Sequence, residues 1–372
     1  MKIVIAGDFC PCDRVVDLLK RGQYEFIFGK VRPIVESSDY AIVNLECPVV
    51  SGNYEPIEKL GPNLKCEPNA VKAIKYVGFN MVTLANNHIL DYGKEGLLET
   101  VATCTKEGID TVGVGNNLNE ASQFFYKEII GKKVGIINCC EHEFSIATDS
   151  STGANPLNPI QQFYQIKEAR KKVDYLLVIV HGGHEHFQLP SPRMVEIYHF
   201  FIDAGADAVV NHHQHCFSGY EYYKGKPIFY GLGNFCFDTR SRRGESIWNI
   251  GFILELDFNE NGVNSKLHPY VQCDTCPQVL LLKSREAFDK EINDLNQIIS
   301  NKSKLEESVN CYYRSQKRNI ELLFEPYENK YLRIVRMKGW IPSFLSKKKW
   351  LHLKNYIECE AHRDKIFYYL KK

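Results

Sequence analysis

Short runs of apolar, largely β-branched residues punctuate the chain: KIVIAGD, YAIVNLE, NMVTLANNH, KVGIINCC, YLLVIVHGG, AVVNHHQH, PIFYGLGNF and GFILELDF. Between them lie stretches whose apolar positions recur every three or four residues. The runs read as buried strands and the stretches as amphipathic helices, an alternation that marks an α/β fold. Helix boundaries are readable too. Glu67, Pro68 and Asn69 open a helix that carries Val71, Ile74 and Val77, and Gly78 closes it. A second spans Gly93 to Lys106, with Leu97, Leu98, Val101 and Ala102 on its expected inner face and Gly108 as its stop. A third follows Pro192, turns Val195, Tyr198, Phe201 and Ile202 inward and ends at Gly205.

Strands with continuous apolar character are covered on both faces, as parallel strands are. Their carboxyl ends then share an edge, and in open α/β sheets that edge is where ligands bind. Here it gathers Asp8, Glu46, Asn87, His88, His181, His213, His215 and Asn234. The segment VNHHQHC, residues 210–216, is the densest case, with three histidines in four positions. His213 and His215 stand at i and i+2, so they share a face or converge in the following turn, and His212 points away. Three histidines at one strand end are as readily ordinary surface residues; the other strand ends turn the reading toward metal. Carboxylate and amide oxygens suit hard divalent cations, and imidazole suits Zn, Mn and Fe. Asp8, Glu46, Asn87, His181, His213 and His215 together offer ligands for one or two ions. Two ions about 3.5–4 Å apart are a known device for displacement at phosphorus, acidifying a water and neutralising phosphoryl charge.

Composition narrows the class without choosing it. The chain has 372 residues, 44% hydrophobic and 24% charged, with a formal net charge of +1. That is enough for one large domain with an appendix, and it shows no global preference for nucleic acid. No recognised nucleic-acid motif appears, so no nucleic-acid partner is expected. Thirteen cysteines are scattered and odd in number, and the opening apolar run is five residues long, which fits a reduced, cytoplasmic protein. No run approaches the roughly 18 apolar residues of a membrane span. Cys273 and Cys276 form one CxxC without a second pair, a weak signal for zinc.

The pattern changes near Leu280. From there the sequence reads as helix, and residues 331–372 hold eleven Lys or Arg against three Asp or Glu, a local net charge of +8. With Trp340 and Trp350 near its lysines, this tail suits either a solvated helical face or a peripheral contact with anionic lipid or a synthesis complex.

Taken in order, GD at 7–8, NLE at 44–46, LANNHILDYG at 84–93, HGGHEH at 181–186, HHQH at 212–215 and YGLGNFCFD at 230–238 resemble the CapA family over roughly residues 1–275. That family is linked to poly-gamma-glutamate capsule synthesis and belongs with the calcineurin-like metallophosphoesterases. The resemblance implies a four-layer α/β/β/α sandwich over residues 1–279, followed by a helical, basic extension over 280–372. It implies Asp8 as the first metal carboxylate, Glu46 as the carboxylate bridging two ions, Asn87 as the amide ligand, and His181, His213 and His215 as imidazole ligands. His88 is implied to assist the leaving group, with Asp91 orienting it. Glu185, four residues beyond His181, is a further candidate acid. Two departures stand out: the wider superfamily begins Asp-x-His where this chain has Asp8-Phe9-Cys10, and Asn211 and Gly183-His184 replace a common glycine and aromatic.

The expected function is thus a metal-dependent phosphoesterase acting on a phosphorylated substrate of capsule or surface-polymer synthesis. The first alternative is an accessory protein that binds an acidic polymer in a synthesis complex. The second is a metal-dependent amide hydrolase or ligase, since the same chemistry reaches carbonyl carbon.

Overall fold

The computed structural model describes residues 1–327 and 329–370. Two compact units make up the chain, Met1–Leu305 and Glu306–Lys372.

The first unit is built on two sheets. One runs in the order Val279–Leu281, Gly262–Gln272, Ile250–Asn259, Lys2–Phe9, Tyr40–Leu45, Met81–Thr83, Asp110–Val112, with Asn234–Cys236 also paired to Lys2–Phe9. The other runs Tyr220–Tyr223, Lys226–Phe229, Ala208–His212, Tyr175–His181, Lys132–Cys140, Phe125–Ile129. The sheets pack on each other through ring pairs such as Tyr175 with Phe258 and Phe229 with Phe252, at 5.0 and 6.2 Å. Helices Pro159–Arg170 and Pro192–Ala204 cover the outer face of the second sheet. Helices Arg14–Lys20, Tyr24–Phe28 and Asn69–Val77 cover the first, burying Val15, Leu19, Ile27, Phe28, Val71 and Ile74. The result is the four-layer α/β/β/α arrangement, with strands buried on both faces and correspondingly apolar.

The central strands are parallel within each sheet: Lys2–Phe9, Tyr40–Leu45, Met81–Thr83 in one, Lys132–Cys140, Tyr175–His181, Ala208–His212 in the other. Their carboxyl ends therefore form two facing edges, one from each sheet, instead of the single edge of an open sheet. The run PIFYGLGNF crosses between them. Its first half is the Lys226–Phe229 strand of the second sheet and its last residues begin Asn234–Cys236 in the first. Gly7 permits that crossing, because a Cβ there would stand 1.7 Å from the Gly233 carbonyl oxygen. The close approach sets Asp8 beside Asn234 in register.

Helix Gly93–Lys106 forms as expected but buries Gly96, Leu97, Thr100 and Cys104, while Leu98 is 40% exposed. Thr100 decides that face: its hydroxyl accepts the Val49 N–H and donates to the Gly96 carbonyl, so a polar residue is satisfied inside. The helix Glu286–Ile299 lies within the first unit and buries Phe288, Ile292, Leu295 and Ile299. Phe288 packs on Phe217 and Phe252, and Asn296 accepts the Tyr220 N–H, which ties this segment to the sandwich beyond the change in sequence pattern.

The second unit is helical, with Lys330–Met337, Lys347–Glu358 and Glu360–Leu370 following the end of Lys302–Leu323. Glu325 is its polar centre, accepting hydrogen bonds from Arg336, Ser343 and the Phe344 N–H. No helix among the described residues is long and apolar enough to cross a membrane.

Candidate metal centre

Asp8 closes the Lys2–Phe9 strand and is 1% exposed. Its Oδ1 accepts from Asn44 Nδ2 at 2.8 Å and its Oδ2 from the His213 backbone N–H at 3.2 Å. Asn44, in the neighbouring strand, also reaches His181 Nδ1 at 3.2 Å and accepts from Thr83. One amide thus aligns a carboxylate of the first sheet with an imidazole of the second.

Glu46 follows the end of Tyr40–Leu45 and is fully buried, yet neither of its carboxylate oxygens has a hydrogen-bond partner. Buried acceptors left without donors are rare and costly. What surrounds them are imidazole nitrogens. Glu46 Oε1 lies 3.3 Å from His181 Nε2 and 3.7 Å from His215 Nε2. His181 Nε2 is 3.1 Å from both His213 Nδ1 and Asn87 Oδ1. Two groups of potential ligand atoms result, Glu46–His181–His213 and Asp8–Glu46–His215, and Glu46 is common to both. A buried set of carboxylate, imidazole and amide groups gathered at one point fits divalent cations.

The electrostatics agree. Burial, then the charge of Glu46, pushes the Asp8 carboxyl well above its usual range, and burial likewise pushes Glu46 up. Burial holds His181, His213 and His215 below the usual histidine range, so their lone pairs stay available. Neighbouring amides set the orientations. Asn87 Nδ2 donates to Glu143 Oε2 at 2.8 Å, which leaves Oδ1 facing the imidazoles, and Asn234 Oδ1 lies 2.9 Å from His215 Nδ1, which leaves Nε2 toward Glu46.

His88 adjoins this set, close enough for its charge to act on Glu46 and on the three imidazoles. Its Nδ1 lies 2.7 Å from Asp91 Oδ2, and Asp91 is fully buried. Asp8, Glu46, Asn87, His88, Asp91, His181, His213 and His215 are therefore brought together. Glu185 is not. Its side chain is half exposed, 3.8 Å from His186 Nε2, and it joins neither ligand group.

His212 departs from the alternation expected of a strand. It is 2% exposed, and its Nδ1 lies 3.5 Å from Asp8 Oδ1. His213 and His215 adopt φ values of +90° and +54°, so the chain leaves extended geometry at this point and the period of two no longer applies. Cys10 does not supply the missing imidazole of the first motif: it is buried in the apolar core and joins neither group. Asn211 is a buried tie, its Nδ2 donating to the Gly182 and Tyr230 carbonyls.

Sequence patterning missed three members of the surroundings. Asn44 lies inside an apolar strand, Glu143 in a turn without periodicity, and Lys59 in a polar loop. Only the clustering of Asn44 with Glu46 in one motif offered a signal.

A family model described as bacterial capsule synthesis protein PGA_cap matches residues 2–239. The capsule biosynthesis protein CapA of Bacillus anthracis is 32% identical over 246 residues, 64% of this chain and 60% of that protein. The PGA biosynthesis protein CapA of Bacillus subtilis (strain 168) is 35% identical over 244 residues, 63% of this chain and 64% of that protein. A Mycobacterium tuberculosis (strain H37Rv) protein, named as a probable polyglutamine synthesis accessory protein, is 28% identical over 222 residues, 56% of this chain and 58% of its own length. The chain thus spans under two thirds of the length of these curated relatives. Among solved structures, a 5'-nucleotidase precursor from Thermus thermophilus aligns with a TM-score of 0.45 and 13% identity, over 79% of this chain and 57% of that one. The family match covers every residue of the two ligand groups, and on it the chain belongs to the bacterial capsule synthesis protein PGA_cap family.

Proposed function

We propose that the protein is a metal-dependent hydrolase of phosphoric esters that serves capsule or surface-polymer synthesis. The observation that carries this reading is the pair of unpartnered Glu46 oxygens between two three-residue ligand groups. Asp8, Glu46 and His215 would hold one divalent ion, and Glu46, His181, His213 and Asn87 a second. Such ions supply Lewis-acid charge and an acidified water. The chain's own residues do the rest. Asn44 and Asn234 fix the directions of Asp8, His181 and His215. Asp91 holds His88 by Nδ1, which leaves Nε2 to give a proton to the departing oxygen. The substrate is a phosphorylated small molecule or an acidic polymer. Thirteen free thiols, nine of them buried, favour a reducing compartment, and we place the protein in the cytoplasm or at the membrane's inner surface, with the basic tail as its contact.

A second reading has its own observation. Cys10 is packed in the core where the wider superfamily has a histidine, so the Asp8 group has one ligand fewer. That favours an accessory role, binding an acidic chain without cutting it, and the mycobacterial relative's name agrees with it. Hydrolysis of an aryl phosphate and an aryl phosphodiester by the full chain with added manganese separates the two. The hydrolase reading predicts turnover that His88→Ala removes at unchanged metal content. Bound metal without turnover in the wild type moves the function to the accessory role.

A further inference from the structure

Residues 239–243, TRSRR, follow the last of the site motifs and carry three guanidiniums. They do different work. Arg243 turns inward, donating to Asp238 and Asp13, and Arg14 holds the other side of the same Asp238. That clamp fixes the end of the Asn234–Cys236 strand. Arg242 faces the metal centre. Its Nη2 lies 3.0 Å from His186 Nε2, its Nη1 donates to Glu245 at 3.1 Å, and its guanidinium carbon stands 5.8 Å from the centroid of Trp248. The rings of Trp248 and His186 lie 5.1 and 6.0 Å from the ring of His215. Arg240 is exposed, and its guanidinium has no partner among the described residues.

A guanidinium has five donors in a planar fork, and His186 and Glu245 engage only part of Arg242's. A flat cation resting on an indole, one side chain removed from a ligand histidine, is placed for a carboxylate or phosphate oxygen. Two carboxylates share the rim, Glu245 on Arg242 and Glu185 on His186, so an isolated anion gains little there. An anion already tethered at the metal centre gains much more, because the second contact is intramolecular.

We infer that Arg242, presented by Trp248 and His186, together with the exposed Arg240 two residues before it, forms a subsite for a second anionic group of a substrate whose first such group lies at the metal centre. The ligand class is a chain bearing repeated carboxylates or phosphates. The inference rests on reading the Glu46 groups as the working site.

The test uses the full chain with Trp340→Phe and Trp350→Phe, which leaves Trp248 as the sole indole. A short oligoglutamate and tripolyphosphate are titrated separately, with a neutral oligosaccharide as control. A saturable change in Trp248 emission with either acid probe is expected, and the tighter probe names the repeating group. Arg240→Gln, at an exposed position without a partner, should weaken it several-fold, and Arg240→Gln with Arg242→Gln at least about tenfold. No saturable change with either acid probe, or affinities untouched by both substitutions, overturns the subsite. Arginine-dependent binding without phosphoester turnover would sink the hydrolase reading and leave the subsite standing. Turnover without arginine-dependent binding would do the reverse.

Discussion

The ammonium of Lys59 lies against the carboxylate of Asp91, with side chains 1% and 0% exposed. Lysines are seldom withdrawn from water unless paired, and this one comes from a loop of mostly exposed residues. It also stands 3.1 Å from His88 Nδ1 and over the ring of Phe144. Asp91 further accepts the Leu64 N–H with its side chain and the Ile57 N–H with its main-chain oxygen. The loop is strapped to the residue that orients His88. Lys59→Met leaves a buried carboxylate without its ammonium, at an expected cost of up to about 3–5 kcal/mol, less what His88 and the Leu64 N–H retain. Urea unfolding should show a lower midpoint at unchanged slope, and adding Asp91→Asn should restore part of it. Equal stability of Lys59→Met and wild type would mean that the pair holds nothing.

Glu46 is expected to weaken the metal-free fold, and one substitution tests this. With Asp8 and Glu46 both pushed above the usual carboxylate range, their contribution is favourable below the unfolded value of about 4 and is lost as pH rises through the native values. At pH 7, above the unfolded value, the chelated wild type therefore carries a penalty from these two groups. Chelated Glu46→Gln is expected to melt several degrees higher than chelated wild type, yet to gain much less than the wild type when manganese is added. Thermal melts with and without chelator read both effects, and a chelated Glu46→Gln that melts below chelated wild type contradicts the account.

His212 gives the acid limb of stability. Burial, with the charge of His181, holds it down to about 3, and it belongs to neither ligand group. A depressed native value contributes stability that is complete above the unfolded value of about 6.5 and is lost as pH falls toward the native one. His212→Gln should remove close to one proton from the uptake on unfolding between about pH 6.5 and 4. The slope of unfolding free energy against pH measures it, and an unchanged slope would show that His212 titrates normally in the native protein.

Most of the candidate cluster could be picked out because each member ends an apolar strand. Asp8, Glu46, Asn87, His181, His213 and His215 each interrupt a run that the core would otherwise continue, and a polar residue there needs a reason. Lys59 was illegible, since a lysine in a polar loop carries no mark of the buried carboxylate it will meet. His212 was misread because alternation holds only while the backbone stays extended, and φ at His213 is +90°. The helix Gly93–Lys106 was placed correctly but turned, because Thr100 is satisfied inside by the Val49 N–H, a contact 51 residues away in sequence. The run PIFYGLGNF looked like one strand, and only the second sheet and the backbone approach at Gly7 explain its division.

The most direct test is the metal content of the purified full chain, by elemental analysis, beside that of Glu46→Gln. If Glu46 joins two ligand groups, the wild type after manganese loading holds two equivalents per chain and Glu46→Gln loses at least one. A wild type that holds none, or a Glu46→Gln that holds as much as the wild type, would contradict the metal centre on which the proposed function stands.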